Sequence, residues 1–224
     1  MENLALSKAY NKGKNISFLK SKLMFYKLNP NFIFNLLNSM NSMAIMENAG
    51  ATSEMILEAS EMVRYLTKSE EFDCHTIGEE LDYAERYIHL ERLRSGNSLS
   101  YIRDVDEALL DYCCPYMLIQ PFVENAINYG LFNKEGQGLL KVGIHADGED
   151  LVIEVYDTGM GMCEEKIRKV LDLNRNREDF KEKIGVTISS VNSVLANRYG
   201  RGYGVTIDSK VGEYTDIIIR IPRE

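Results

Sequence analysis

The chain changes its hydrophobic period once, and that change limits what it can fold into. Up to Arg94, apolar residues recur every three to four positions: Ile16, Leu19, Leu23 and Tyr26, then Ile33, Leu37 and Met40, then Met55, Ile56, Ala59, Met62, Val63 and Leu66, then Leu81, Ala84, Ile88 and Leu90. This is the spacing of one buried face of a helix. Later segments read as strands instead. GLLKVGIHA (138–146) and LVIEVYD (151–157) alternate across the turn ADGED and predict a hairpin. SLSYIRD (98–104), YGVTIDS and TDIIIRIP predict further strands, the last two as an antiparallel pair. Helices first and a mixed region afterwards predict an α+β chain: a helical hairpin over residues 1–75 and a second domain over 76–224.

Pro30 interrupts the first helical stretch. A proline inside a helix removes a hydrogen bond and clashes one turn back, at about 3 kcal/mol, which predicts a kink between Tyr26 and Asn29. Gly50 ends the stretch, and a second helix is expected from Ala51 to Thr67. Two amphipathic helices on a short link cannot bury their stripe alone. They dimerise into a four-helix bundle or pack on the rest of the chain. Thr76-Ile77-Gly78-Glu79 has the capping-box pattern and opens a helix reaching Arg94. Further helices are expected after Pro115 to Tyr129, over 163–173 and over 188–200. NRNREDFKEK (174–183) has no apolar period and reads as a mobile loop.

The net charge of −8 argues against nucleic acid, whose phosphates need clustered Lys and Arg. It leaves room for a nucleotide, which backbone N–H groups and a metal can hold. The four cysteines, at 74, 113, 114 and 163, contain no CxxC pair, and the expectation is reduced thiols. His75, His89 and His145 are too scattered to read as a metal site. No apolar run approaches the ~18 residues of a membrane span, and no signal peptide is visible.

Three segments carry chemistry: PFVENAINYG (121–130), DTGMG (157–161) and GVTISSVN (185–192). Each alone reads as ordinary helix or turn. Their order makes a nucleotide pocket: an amide-bearing helix, a strand ending in Asp-x-Gly-x-Gly, a charged loop and a helix led by glycine. The aspartate can accept from a purine amino group, the glycines let backbone approach a ligand, an amide can hold Mg²⁺, and a helix N-terminus can face phosphate.

With these residues the chain resembles the cytoplasmic half of the LytS/YehU-type sensor histidine kinases, whose ATP-binding domain has the GHKL (Bergerat) fold, an α/β sandwich. The resemblance runs from about Leu19 to Pro222. QPFVENAINYG resembles the family's N box, VYDTGMGM its G1 box and GEYTDIIIRIP its terminal motif. It implies that Asn125 ligands Mg²⁺, that Glu124 is the N-box acid positioning the attacking group or its proton, and that Asp157 binds the adenine amino group. Gly159 and Gly161 would shape the G1 turn, Thr215 would sit near adenine, and residues 174–184 would be the ATP lid. ATP with Mg²⁺ is the implied ligand.

LNPNFIFN (28–35) resembles the family's INPHFLFN, and Asn31 falls on the phosphoacceptor histidine. A carboxamide nitrogen is delocalised into its carbonyl and cannot replace an imidazole as nucleophile. His75 and His89 lie in no acceptor-like motif. The G2 box, usually GxGLxNV, is altered too: Gly185 is kept, Thr187 replaces the second glycine and Ser190 the asparagine. A Cβ at position 187 can obstruct phosphate, so weakened ATP binding is expected.

The expectation is therefore a sensor histidine kinase by descent that cannot phosphorylate itself at the usual position. It would act as a homodimer, or as a heterodimer that phosphorylates an active paralogue in trans. A nucleotide-free dimeric scaffold, a pseudokinase partner of an active kinase, is the alternative. An ATPase using water fits less well, because Pro121 stands where such enzymes carry a carboxylate. The resemblance also implies a bacterial inner-membrane or cell-membrane anchor ahead of residue 1, a cytoplasmic location for this region, and a response-regulator partner, often of the LytTR class.

Overall fold

A computed structural model describes residues 30–68, 74–96, 98–131, 137–171, 183–200 and 202–223. The expected kink at 26–29 and most of the lid at 174–184 lie outside them. The chain divides into two compact units, Met1–Thr67 and Lys68–Glu224. Among the described residues no helix is long and apolar enough to cross a membrane.

The first unit is a hairpin of α1 (Pro30–Met46) and α2 (Gly50–Lys68). Asn48 takes the left-handed conformation at the turn (φ 56°), which asparagine tolerates better than most residues. Ser53 Oγ donates to Asn41 Oδ1 at 2.6 Å and ties the helices together. Arg64 lies over the Phe34 ring. Ile33, Phe34 and Leu37 face inward in part, and Ala44 is buried. On the other side Phe32, Leu36, Met40 and Met43 form an exposed apolar stripe.

The second unit is an α/β sandwich, as expected. Its elements are β1 (His75–Thr76), α3 (Ile77–Arg94), β2 (Leu99–Val105), a 3₁₀ turn (Glu107–Leu109), β3 (Cys113–Cys114), α4 (Gln120–Asn125) continuing as a π-helix (Ala126–Leu131), β4 (Gly138–Asp147), β5 (Asp150–Asp157), α5 (Glu164–Leu171), α6 (Lys183–Tyr199), β6 (Gly204–Lys210) and β7 (Tyr214–Pro222). The main sheet runs β2-β4-β5-β7-β6. Only β2 and β4 pair in parallel. The capping box forms as read from the sequence: Thr76 Oγ1 accepts from Glu79 N–H, and the Glu79 carboxylate accepts from Thr76 N–H.

Alternation decides the faces of the sheet. Leu151, Ile153 and Val155 of β5 and Ile217, Ile219 and Ile221 of β7 turn inward, where they pack with Leu81, Ile88, Phe122 and Leu195 from the helices. The other face is polar, with Lys141 Nζ between Asp104 (3.0 Å) and Glu154 (2.8 Å).

One expectation is overturned. Cys74 and Cys113 form a disulfide, with Cα atoms 5.8 Å apart. The reason is local pairing. Thr76 is opposite Cys113 and His75 opposite Cys114 in the small β1–β3 sheet, which brings Cys74 alongside. Alternation along β3 turns Cys113 outward and Cys114 inward, so only the first of the adjacent pair is within reach. Burial pushes the free Cys114 thiol up, helped by the nearby Glu80 and Glu79 charges.

Candidate nucleotide site

The inward positions of β5 and β7 are apolar until both strands reach the same end of the sheet. There Asp157 and Thr215 stand opposite each other in register, both buried. A carboxylate on the inward face of a hydrophobic strand is costly unless something meets it. Asp157 Oδ1 accepts from Gly159 N–H at 2.8 Å. Thr215 Oγ1 lies 3.2 Å from Ser209 Oγ, which accepts from Met162 N–H (2.8 Å) and donates to the Tyr214 carbonyl (2.7 Å).

Asp157 and Thr215 open onto a cavity that is partly continuous with solvent. Asn125, Ala126, Tyr129 and Gly130 line it from α4 and its π-helical extension, and Gly161, Met162 and Lys166 from the loop after β5 and from α5. The switch from α to π geometry after Asn125 is a device found mostly at functional sites. Asn125 is buried, and its Nδ2 has no hydrogen-bond partner in the structure. A flip exchanges the amide's oxygen and nitrogen. The Asn125 carboxamide thus offers either a donor or a hard oxygen to whatever enters, which suits a nucleotide and a divalent cation.

The glycines stand where segments of the chain itself approach closely. A Cβ on Gly159 would collide with the Gly130 backbone, one on Gly130 with the Asp157 carboxylate, and one on Gly161 with the Lys210 carbonyl. Gly161 also has φ +63°. The loop is pinned by Met160 N–H to Gly130 O (3.0 Å) and Gly212 N–H to Met160 O (2.7 Å). Their missing side chains let three backbone segments close around Asp157.

The structure thus gathers Asn125, Asp157, Gly161 and Thr215 at one cavity, with Gly159 packed behind it. Glu124 is not among the lining residues. It accepts from Gln120 Nε2 at 2.9 Å, and its charge reaches Tyr83 and Tyr87 on α3. Gly185 and Thr187 fall in the first turns of α6, and their side chains lie outside the described residues. Ile188 lines the cavity, whereas Ser190 borders a separate apolar groove with Tyr116, Pro121 and Val194. Asn31 belongs to the hairpin unit and is exposed there.

Sequence reading missed Lys166, Ser209 and Gly130. Lys166 sits in a helix whose sequence looks merely amphipathic, and Ser209 in a strand where it looks like an exposed residue. Gly130 closes the quoted PFVENAINYG segment, and that position was the available signal.

Known protein families match both parts of the chain. The histidine kinase model matches residues 19–99, and the model of histidine kinase-, DNA gyrase B- and HSP90-like ATPases matches residues 115–224. Sensor histidine kinase YpdA of Escherichia coli is 35% identical over 198 residues, covering 88% of this chain and 33% of that protein. Sensor protein LytS of Staphylococcus haemolyticus is 25% identical over 197 residues, again covering 88% and 33%. Among solved structures, the histidine kinase domain of a blue-light activated kinase from Erythrobacter litoralis aligns with a TM-score of 0.49 at 12% identity, over 87% of this chain and 94% of that one. The chain spans about a third of the length of the curated relatives it matches. With a histidine kinase region followed by its ATPase-type domain, the chain belongs to the LytS/YehU-type sensor histidine kinases.

Proposed function

We propose that this chain is the ATP-binding kinase region of a two-component sensor protein that has lost its own phosphoacceptor. The observation that carries the nucleotide assignment is the convergence of Asp157, Thr215 and the unsatisfied Asn125 amide on one cavity. In this reading Asp157 accepts from the adenine amino group, Thr215 sits beside the base, and the Asn125 oxygen holds Mg²⁺. A magnesium ion held there by Asn125 would neutralise phosphate charge. Gly159 and Gly161 shape the loop, and Gly185 and Thr187 open the helix on the phosphate side. Glu124 is the acid that serves the attacking group.

The hairpin domain, taken to residue 75, would supply dimerisation, and the nucleotide domain would begin at Thr76. The exposed stripe of Phe32, Leu36, Met40 and Met43 recurs at helical spacing and supports pairing into a four-helix bundle. Asn31 occupies the acceptor position of that hairpin and cannot accept a phosphoryl group. The dimer would therefore act as a pseudokinase, or pair with an active kinase and phosphorylate its histidine in trans. A response regulator, of the LytTR class as the family resemblance implies, would be the downstream partner. The region would lie on the cytoplasmic side of a membrane-anchored protein.

The test is transfer from γ-labelled MgATP. The parent chain should take up no acid-labile, alkali-stable phosphate, and Asn31→His should gain it. Labelling of the parent at any histidine would contradict the acceptor-loss reading.

A further inference from the structure

Gln120 has an unusual environment for a glutamine. It is fully buried, Nε2 donates to Glu124 Oε1 at 2.9 Å, and Oε1 has no hydrogen-bond partner in the structure. A buried carboxamide with its acceptor unmet is a poor choice for packing alone, because an apolar side chain of similar volume would avoid the desolvation. What the amide supplies is an N–H aimed at the Glu124 carboxylate. Flipping it would set oxygen against oxygen, so the charge on Glu124 fixes its orientation.

The helix carrying both residues is itself held from a distance. α4 has no side-chain cap of its own at Ile119. The turn that leads into it is held instead by Glu80, in the first turn of α3. The fully buried Glu80 carboxylate accepts from Met117 N–H (2.6 Å), Leu118 N–H (2.7 Å) and Ile119 N–H (3.1 Å). Met117 adopts φ +59° to make this turn, a conformation that persists only when its surroundings impose it. One position after Glu124, Asn125 faces the nucleotide cavity. On the Glu124 side Tyr83 and Tyr87 face α4, and Asn128 Nδ2 donates to the Tyr87 hydroxyl at 3.1 Å. Burial first, and then neighbouring groups that include Glu124, raise both tyrosine pKa values.

We propose that Gln120 is a positioning residue: its buried amide sets the Glu124 carboxylate, on a turn locked by Glu80, toward an imidazole arriving from outside the nucleotide cavity. The proposal rests on the kinase reading above. In the step it serves, the imidazole nitrogen bonds to the γ-phosphorus as the bond to the ADP oxygen breaks. Glu124 takes the proton that the imidazole releases, and ADP departs.

The experiment measures autophosphorylation of Asn31→His with Gln120→Met, with Glu124→Gln and with both, each checked for thermal stability and MgATP binding. Met keeps the length and volume of Gln and removes the N–H. Gln120→Met should lower kcat at least about tenfold, part of the roughly 10²–10⁴-fold that general acid–base assistance gives, with KM for MgATP within about twofold. Adding it to Glu124→Gln should lower the rate no further, because both changes remove one interaction. Additive losses, an effect confined to KM, or an unchanged kcat would overturn the proposal. So would an Asn31→His chain that binds MgATP yet transfers nothing. Failure of the parent chain to bind MgATP would instead sink the kinase reading itself.

Discussion

The two units bury themselves in opposite ways. In the sandwich unit, Leu140, Ile153, Leu195 and Ile219 are wholly shielded, and the sheet has one helix-covered face. In the hairpin unit, Phe32 and Met43 are 61% exposed and Leu36 and Met40 about 45%. Burying each such side chain is worth about 1.5–3 kcal/mol, and contiguous exposed apolar surface on this scale marks an interaction site. The sandwich is complete as a core, whereas the hairpin is written for a second surface. The proposed nucleotide site lies in the sandwich unit, and Asn31, at the proposed acceptor position, lies in the hairpin unit.

The largest expected effect tests the completeness of the sandwich. Gly159→Ala places a methyl group against the Gly130 backbone. It should cost about 2–4 kcal/mol in denaturant unfolding and abolish MgATP binding, because the loop around Asp157 cannot close. A stable variant that still binds nucleotide would show that the close packing is not needed.

Next comes the hairpin. Leu36→Asp with Met40→Asp puts two charges on the exposed stripe and should convert a dimer to a monomer by light scattering. The nucleotide-induced stabilisation should stay, since both residues lie outside the sandwich. Loss of both properties together would break the division between the units.

The smallest effect lies on the polar sheet face. Asp216 has a raised pKa because of burial first and then the Glu154 and Asp208 charges, and its Oδ1 lacks a hydrogen-bond partner. A folded pKa above the unfolded one means that ionised Asp216 is penalised in the native state. The penalty is absent below the unfolded carboxylate range, grows as pH rises from there to the folded pKa, and is complete above it. Asp216→Asn should therefore raise Tm at neutral pH by no more than about 2 °C, after solvent screening is allowed for. The gain should vanish near pH 3.

Local signals account for most of this arrangement. The Thr76 capping box, the 138–157 hairpin and the inward runs of β5 and β7 follow from spacing and turn chemistry. Interactions between distant segments were not legible. The parallel pairing of β2 with β4, the reach of Cys74 to Cys113 and the hold of Glu80 on the turn before α4 join residues about 35 to 40 positions apart, where no period or motif links them. The helix expected directly after Pro115 starts only at Gln120. The Met117 turn intervenes, and its cap is a carboxylate 37 residues upstream. At the site, the resemblance pointed to Asp157 and Asn125. Lys166 and Ser209 became visible only when the loop after β5 was folded against β6.

The most direct test of the central claim is thermal unfolding of the chain with and without MgATP, repeated on Asp157→Asn. Ligand at 100 times its dissociation constant stabilises by about 2.7 kcal/mol, roughly 5–10 °C for a domain of this size. The account predicts that shift in the parent chain and its loss in Asp157→Asn, with the unliganded Tm little changed. No shift at millimolar MgATP, or an equal shift in both proteins, would contradict a nucleotide site built on Asp157.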